Sequence, residues 1–283
     1  MSCFTKMPNS IADLKNVVFW RDVLVEVLGT GILLTWITFS FVTFNPDHYQ
    51  PNTTTLGLFV GFLVFILIET LGPYSGCHMN PAVTLGFFLN GHLSIARSIF
   101  YVIAQCSGGA GGSALVYALT PASKRHMFHA ITPSADVSLA QAIGHECIFT
   151  FLLVFTALFL TLPSRKSVNP GFPLGFCVGT SIMCGGTYSG STLNPVVALG
   201  PAVISRNFHD HWVYWVGPLC GGVVAFLLFK AITVVGDKFE KPNNNNNKEK
   251  LALKREELGA LLEEFLEEKI TSRKIYLDKL SAI

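Results

Sequence analysis

The sequence predicts an all-α membrane protein with six transmembrane helices and two re-entrant half-helices arranged as an inverted repeat. Three observations predict this class: six long apolar runs, a charged fraction of only 13% among 283 residues, and a twelve-residue motif that occurs twice. A soluble domain carries about a quarter charged residues, and about 20 apolar residues are long enough to cross a bilayer. The lipid bilayer is therefore the first expected partner.

The six apolar runs set the order and the sidedness of the helices. They lie at about 23–44, 55–73, 95–119, 140–162, 172–187 and 212–235, and the fifth is the shortest. The distribution of Lys and Arg between alternate connections favours cytoplasmic placement of both termini. We therefore expect an integral, multi-pass protein, with the plasma membrane as its location.

The repeated motif reads SGCHMNPAVTLG at 75–86 and SGSTLNPVVALG at 189–200, with seven identical positions. Each copy contains Asn-Pro, and these residues favour the N-cap and the first position of a helix. The apolar stretches that follow, 82–90 and 196–205, are too short to span a bilayer. Duplicated half-helices of this kind indicate a transport site.

The two copies are predicted to enter the membrane from opposite sides, because three apolar runs separate them. Their helix N-termini can then meet at the middle of the bilayer, where they focus positive partial charge that repels cations and hydronium. Each motif asparagine can offer two amide hydrogens to a passing oxygen. A structural alternative is a pair of capped turns that only brace the bundle.

The predicted domain organisation has a channel domain flanked by polar segments. It comprises a cytoplasmic N-terminus at 1–22, the channel domain at 23–237 with halves at about 23–119 and 140–235, an Asn-rich linker at 238–247, and a tail at 248–283. The tail has apolar residues at helical spacing, which predicts an amphipathic or coiled-coil helix. It is interpreted as an assembly helix, a site for a coiled-coil partner, or a segment added to the chain.

Several function classes have no support in the sequence. The seven cysteines show no CxxC spacing, and six lie in or beside apolar runs, so we expect neither disulfides nor a metal site. No nucleophile–base pair stands out, so we expect neither an enzyme nor a cofactor. The net charge of +2 gives no indication of nucleic-acid binding. Asn52 begins the sequon Asn-Thr-Thr in a predicted outside loop and is a glycosylation candidate.

The two motif copies, with GHLSIARSIFYVIAQ (91–105) and DHWVYWVGP (210–218), resemble the aquaporin or major intrinsic protein family over about residues 15–237. The resemblance implies a right-handed helix bundle, one pore per protomer and a homotetramer. It implies that Asn80 and Asn194 mark the centre of the pore.

Four more residues are candidates for the pore and its support. Glu26 and Glu146 each precede a threonine by four residues, and we expect them to accept hydrogen bonds from backbone amides of the re-entrant loops. His78 matches a histidine that lines one half of family pores, and Cys77 is expected to border the same half. The structural alternatives are a satisfied buried histidine and an inert packed cysteine. Glu69 has no assigned role; it either attracts cations at the pore mouth or faces water.

The resemblance places the narrowest part of the pore at Val60, Ile182, Ser191 and Val197, counted from the two asparagines. Water-selective members of the family have an aromatic residue, a histidine and an arginine among these positions, and glycerol-conducting members keep the arginine. This chain has none of the three, which predicts a wider and uncharged constriction.

The predicted function is a passive channel for water and small neutral solutes, among them glycerol, urea, hydrogen peroxide and ammonia. Two alternatives remain open at this point. The first is a poorly conducting adhesion or scaffold protein, favoured by the lost filter residues and the tail. The second is a cation-leaky channel, favoured by the missing arginine and by Glu69.

Overall fold

The structure is a computed structural model that describes residues 8–43, 52–162 and 169–239. Contacts divide the chain into two units, residues 1–231 and residues 232–283. The predicted tail helix at 248–283, and the predicted linker beyond residue 239, lie outside the described residues. The helices are α1 (Ser10–Leu14), α2 (Val17–Thr43), α3 (Thr53–Ser75), α4 (Pro81–Leu89), α5 (Ile95–Leu119), α6 (Leu139–Leu160), α7 (Gly171–Gly185), α8 (Pro195–Ser205) and α9 (Val213–Phe239).

Five of the described helices, α2, α3, α5, α6 and α9, are long and apolar enough to cross a membrane. Helix α7 occupies the fifth predicted run but has 15 residues, so it is about 22 Å long against a hydrocarbon core of about 30 Å. The order of long helices and half-helices is the predicted one. Helix α2 begins at Val17, six residues before the predicted start at residue 23.

The two half-helices begin where the Asn-Pro pairs predicted. Asn80 and Asn194 have the same extended conformation, with φ of −153°, and each side chain accepts a hydrogen bond from the helix that it caps. A proline occupies the first turn in both cases. Helix α4 has 9 residues and α8 has 11, so both are too short to span a bilayer.

Glycines allow neighbouring helices to pack with their backbones in contact. A Cβ at Gly57 would lie 2.5 Å from the Gly179 carbonyl oxygen, and one at Gly61 would lie 2.8 Å from the Gly175 carbonyl oxygen. These contacts join α3 to α7. In the second close pair, α2 with α5, a Cβ at Gly108 would overlap the Val27 carbonyl oxygen.

Two glycines on α5 provide a matched test of this packing. Gly108→Ala should destabilise the channel by about 1–3 kcal/mol, because the new methyl group has no room against the Val27 carbonyl. Gly111→Ala, one turn away, should cost nothing, because its Cβ would meet no atom within 4 Å. The measurement is the midpoint of thermal unfolding in detergent. Equal midpoints for the two variants would contradict the proposed backbone contact.

Helix α1 and the first turns of α2 are held to α5 by a cluster of charged side chains that the sequence did not predict. Arg97, on α5, contacts Asp13 of α1 at 3.2 Å and Asp22 of α2 at 2.8 Å. Arg21 contacts the other oxygen of Asp22 at 2.7 Å. These pairings allow α2 to continue as a helix through charged residues before its apolar part begins.

Candidate functional site

The two half-helices meet through reciprocal hydrogen bonds between their capping asparagines and the opposite loop. Asn80 Nδ2 donates to the Leu193 carbonyl at 2.8 Å, and Asn194 Nδ2 donates to the Met79 carbonyl at 2.7 Å. The Oδ1 atoms accept from the Ala82 and Val196 amides, at 2.8 and 3.0 Å. The expectation of two available hydrogens per asparagine is therefore wrong, since the crossing bond uses one and leaves one for a solute.

Two buried carboxylates hold the re-entrant loops. Glu26 accepts hydrogen bonds from the His78 and Met79 amides at 2.9 and 2.8 Å, and from the Ser75 hydroxyl and the Gln105 amide. Its side chain is fully buried. A carboxylate in this position draws backbone N–H groups to one side of the loop.

Glu146 holds the second re-entrant loop in the same way. It accepts from the Thr192 and Leu193 amides, both at 2.9 Å, and from the hydroxyls of Ser189 and Thr192, both at 2.8 Å. It is also fully buried. The two carboxylates therefore occupy equivalent places in the two repeats.

The loop backbones alternate between ordinary and left-handed conformations. Cys77, Met79, Ser191 and Leu193 have φ between 48° and 54°, a region that non-glycine residues seldom occupy. The alternation turns successive amides towards the carboxylates. The Met79 and Leu193 carbonyls accept the crossing bonds from the asparagines, so the Cys77 and Ser191 carbonyls are the ones left to face the cavity that these residues line.

One tyrosine fixes the beginning of each re-entrant loop, and neither tyrosine was identified from the sequence. The Tyr101 hydroxyl donates to the Ser75 carbonyl at 2.9 Å, and the Tyr214 hydroxyl donates to the Ser189 carbonyl at 2.7 Å. Both rings are fully buried. Their near-equal spacing from the two serines, 26 and 25 residues, was the available signal.

A cavity of about 210 Å³ runs along the two loops and between the long helices. All four residues predicted for the constriction line it, as do both asparagines, His78 and Cys77. The rest of the cavity wall, formed by the long helices and α7, is mostly aliphatic or aromatic. Its side chains are Leu33, Ile37, Phe41, Leu56, Val60, Val64, Ile68, Leu153, Leu174, Val178 and Ile182. Helix α3 contributes one lining residue per turn from residue 56 to residue 68, so the cavity is about 18 Å long.

The asparagine pair divides the cavity into two halves. The half that contains Ser191 and Val197 is called here the α8-side half, and the half that contains His78 and Phe87 is called the α4-side half. Ser191 does not present its hydroxyl to the cavity, because Oγ donates to the Ser181 carbonyl at 2.8 Å. Ile131 also lines the cavity, and a Cβ at Gly190 would lie 2.6 Å from its Cγ2.

The α4-side half contains the imidazole of His78, and the α8-side half has no equivalent side chain. His78 Nδ1 lies 3.2 Å from the Thr84 hydroxyl, and its ring packs against Phe87 with centroids 4.6 Å apart. Phe87 also contacts His92, in the turn after α4, at 5.6 Å. Burial, followed by the charge of Lys230, lowers the pKa of His92. His92 is therefore neutral at pH 7 and adds no charge at this end.

Two other predicted positions lie away from the cavity lining. Glu69 accepts a hydrogen bond from the Gly171 amide at 2.7 Å, so its carboxylate caps the beginning of α7. Asn52 is exposed and caps α3, accepting from the Thr55 amide at 2.9 Å. Across the residues that the structure describes, no group of three or more His, Cys, Asp or Glu side chains could hold a metal ion.

Cys77 gives a direct test of which residues border the pore. It lines the cavity and is buried, whereas Cys184 and Cys220 are exposed. A mercurial should therefore inhibit slowly, and Cys77→Ser should abolish the inhibition, while Cys184→Ser and Cys220→Ser leave it intact. Water flux before and after treatment is the measurement. Inhibition that persists in Cys77→Ser would assign the block to another thiol.

Apolar membrane-spanning helices, two capped half-helices and a narrow cavity between them define a transmembrane channel. The chain belongs to the major intrinsic protein family, whose family model matches residues 13–229. It is therefore an integral, multi-pass membrane protein and a channel for water or small solutes.

Similar proteins include aquaporins of an animal and of a plant. The chain is 34% identical to aquaporin-2 of Homo sapiens over 224 residues, covering 78% of this chain and 81% of the relative. It is 36% identical to aquaporin TIP1-2 of Musa acuminata over 219 residues, covering 75% and 86%. The X-ray structure of the aquaglyceroporin from Plasmodium falciparum superimposes with a TM-score of 0.67 at 25% identity, covering 77% of this chain and 98% of that one.

Proposed function

We propose that this channel conducts water together with uncharged solutes up to about the size of glycerol, driven only by their gradients. The observation that carries the proposal is the side-chain composition of the α8-side half. Val60, Ile182 and Val197 are aliphatic, and the hydroxyl of Ser191 is bonded to backbone. A constriction without a guanidinium is wider and offers a solute no fixed charge.

The central barrier to ions is assigned to the two asparagines and the half-helices that they cap. The N-terminus of a helix carries about half a positive charge, and two such ends meet here. Each asparagine keeps one N–H for a passing oxygen, so a water between them points its own hydrogens away. This arrangement interrupts a chain of proton-conducting waters and disfavours cations.

The resemblance to the family and the exposed apolar surface support a proposal for the wider assembly. We propose a homotetramer in the plasma membrane, with cytoplasmic termini and a glycan at Asn52. Exposed apolar side chains along α3 and α7 support lateral contacts with lipid or another protomer, and they include Leu58, Phe62, Phe172 and Phe176.

Stopped-flow light scattering on proteoliposomes tests the proposed conduction. Vesicles containing the purified chain should shrink in an impermeant osmolyte faster than empty vesicles, and should reswell in glycerol or urea. Sodium and proton fluxes should equal those of empty vesicles. No increase in water flux from a monodisperse preparation would contradict the proposal.

A second candidate is a poorly conducting adhesion or scaffold protein, favoured by the aliphatic wall of the cavity. Narrow apolar pores can lose their water and stop conducting. The same vesicles separate the two candidates, since a scaffold would leave water flux at the level of empty liposomes. The cation-leaky alternative loses one of its supports, because Glu69 caps α7 and is not among the lining residues.

Val197→Arg should reduce glycerol flux more than water flux. Val197 lies on the first turn of α8 and lines the cavity, so a guanidinium there would narrow the passage and could donate to loop carbonyls. Val197→Leu is the control, since it adds volume without charge. Both variants must first elute as folded protein, because an unpaired arginine costs several kcal/mol in a membrane. Identical glycerol-to-water ratios in parent and arginine variant would contradict the placement of the constriction.

A further inference from the structure

A chain of hydrogen bonds runs from a buried carboxylate to the ring of His78. Gln105 Nε2 donates to Glu26 Oε2 at 2.9 Å and to the Thr84 hydroxyl at 3.0 Å. The Thr84 hydroxyl in turn lies 3.2 Å from His78 Nδ1. Glu26, Thr84 and Gln105 are at most 1% exposed, so water in the cavity does not compete for these bonds.

The direction of each bond in this chain follows from what each group can donate. An ionised carboxylate only accepts, so the NH₂ group of Gln105, and not its carbonyl, must face Glu26. The same NH₂ group gives its second hydrogen to the Thr84 oxygen. Thr84 still has its own hydroxyl hydrogen. Among the described residues, His78 Nδ1 is the only acceptor that this hydroxyl contacts.

The bond from Thr84 fixes the position of the hydrogen on the His78 ring. A nitrogen that accepts a hydrogen bond carries a lone pair, so the hydrogen of the neutral ring is on Nε2. Among the described residues Nε2 has no hydrogen-bond partner, and it is not one of their enclosed polar atoms. A Cβ at Gly76 would lie 3.2 Å from Nε2, and both residues line the cavity. The N–H therefore faces the α4-side half.

The opposite tautomer would leave a buried donor without a partner. With the hydrogen on Nδ1, the ring and the Gln105 amide would both donate to the Thr84 oxygen. The Thr84 hydroxyl hydrogen would then have no acceptor among the described residues. The cost of a buried donor without a partner favours the hydrogen on Nε2 by about tenfold or more.

We propose that Thr84, itself oriented by Gln105, is a positioning residue that holds His78 as the tautomer with its hydrogen on Nε2. The α4-side half then has one fixed N–H donor for the oxygen of a passing water, and the lone pair of the ring is turned away from the cavity. A proton in the cavity finds no basic nitrogen, so His78 stays uncharged although it is a titratable group in the channel. This inference rests on the proposed conduction of water and identifies a residue that sets the hydrogen bonding of one half.

Solid-state NMR of the chain labelled with ¹⁵N-histidine in liposomes measures the tautomer directly, because protonated and unprotonated ring nitrogens have separate chemical shifts. The signals that are missing from His78→Gln belong to His78. We expect Nε2 to be protonated and Nδ1 unprotonated in about nine-tenths or more of the parent molecules. Thr84→Val keeps the outline of the side chain without the hydroxyl and should give a mixture of tautomers, whereas Thr84→Ser should restore the parent spectrum. A parent ring with its hydrogen on Nδ1, or an unchanged spectrum in the valine variant, would overturn the proposal.

The pH profile of water flux is a second readout, which a purely structural role of Thr84 would not move. In Thr84→Val, part of the His78 rings expose the lone pair of Nε2 and can take up a proton from the cavity. Water flux of this variant should fall by about half between about pH 8 and about pH 5, where histidines ordinarily titrate, while the parent and Thr84→Ser stay constant. The other ionisable groups that face the ring are unchanged in all three proteins, and they are Glu26, His92, Arg97 and Tyr101.

The two readouts separate a failure of this inference from a failure of the proposed function. Vesicles that conduct no water would overturn the proposed function, while the NMR spectrum, which requires only folded protein, still decides the position of the hydrogen. Flux that changes equally with pH in the parent and in Thr84→Val would overturn the role of Thr84 and leave the proposed channel intact. If the valine variant elutes as misfolded protein, the spectra of the parent and of Thr84→Ser decide the matter.

Discussion

Glu146→Leu should abolish water flux, because the second re-entrant loop loses the group that orders it. The substitution leaves two backbone amides and two hydroxyls without their acceptor inside the protein. Each buried donor without a partner costs about 1–3 kcal/mol, so the two amides alone cost about 2–6 kcal/mol. That loss is comparable with the whole stability of many proteins, which is about 5–15 kcal/mol.

Two further variants make this expectation specific to the loop. Glu146→Gln keeps one oxygen acceptor and should lie between parent and leucine variant in thermal stability. Glu69→Gln is the matched control, since Glu69 accepts one hydrogen bond from the described residues, at the beginning of α7, and is partly exposed. The measurements are the unfolding midpoint in detergent and water flux in vesicles. A Glu146→Leu channel that melts with the parent and conducts water normally would show that the loop is ordered by other contacts.

Asn194→Asp should open the channel to sodium ions and protons. The two half-helix ends together contribute about one positive charge, which one carboxylate at this position cancels. The substitution also removes the N–H that crosses to the Met79 carbonyl, so the two loops lose one of their two reciprocal bonds. Asn80→Asp should act in the same way through the Leu193 carbonyl.

Asn194→Ser separates the charge from the lost hydrogen bond. Serine can still cap α8 but adds no carboxylate. We expect the serine variant to conduct less water and to remain tight to ions, whereas the aspartate variant leaks. The measurement is the decay of sodium and pH gradients in vesicles matched for protein content. Equal ion tightness in the two variants would refute the electrostatic barrier at the half-helix ends.

The sequence was sufficient to predict most helix positions, because their causes are local. Apolar runs placed five long helices, and Asn-Pro placed the beginnings of α4 and α8 to the residue. Helix α2 begins earlier than its apolar run, since Asp22 pairs with both Arg21 and Arg97. Arg97 lies 75 residues after Asp22, so the apolar pattern carried no sign of this pairing.

The candidate site likewise has residues that the sequence could identify and contacts between distant residues that it could not. The resemblance singled out Asn80 and Asn194, but the crossing bonds could not be predicted, because they join residues 113 and 115 positions apart. Glu69 lacked a role because its partner, the Gly171 amide, follows 102 residues later. Ile131 was missed because a loop is positioned by long-range contacts, here the bond from the Ser134 amide to the Tyr188 carbonyl at 2.8 Å.

The alternating backbone of the two loops has a consequence for how such a channel can diversify. The hydrogen-bond acceptors that the loops present to the cavity are main-chain carbonyls. Every amino acid supplies such a carbonyl, so exchanging one side chain for another does not remove these acceptors. Solute preference can therefore change through the side chains that line the cavity, such as Val60, Ile182 and Val197 on α3, α7 and α8. These side chains lie on helices outside the loops. New permeabilities can therefore arise by substitution at these positions while the loop carbonyls stay the same.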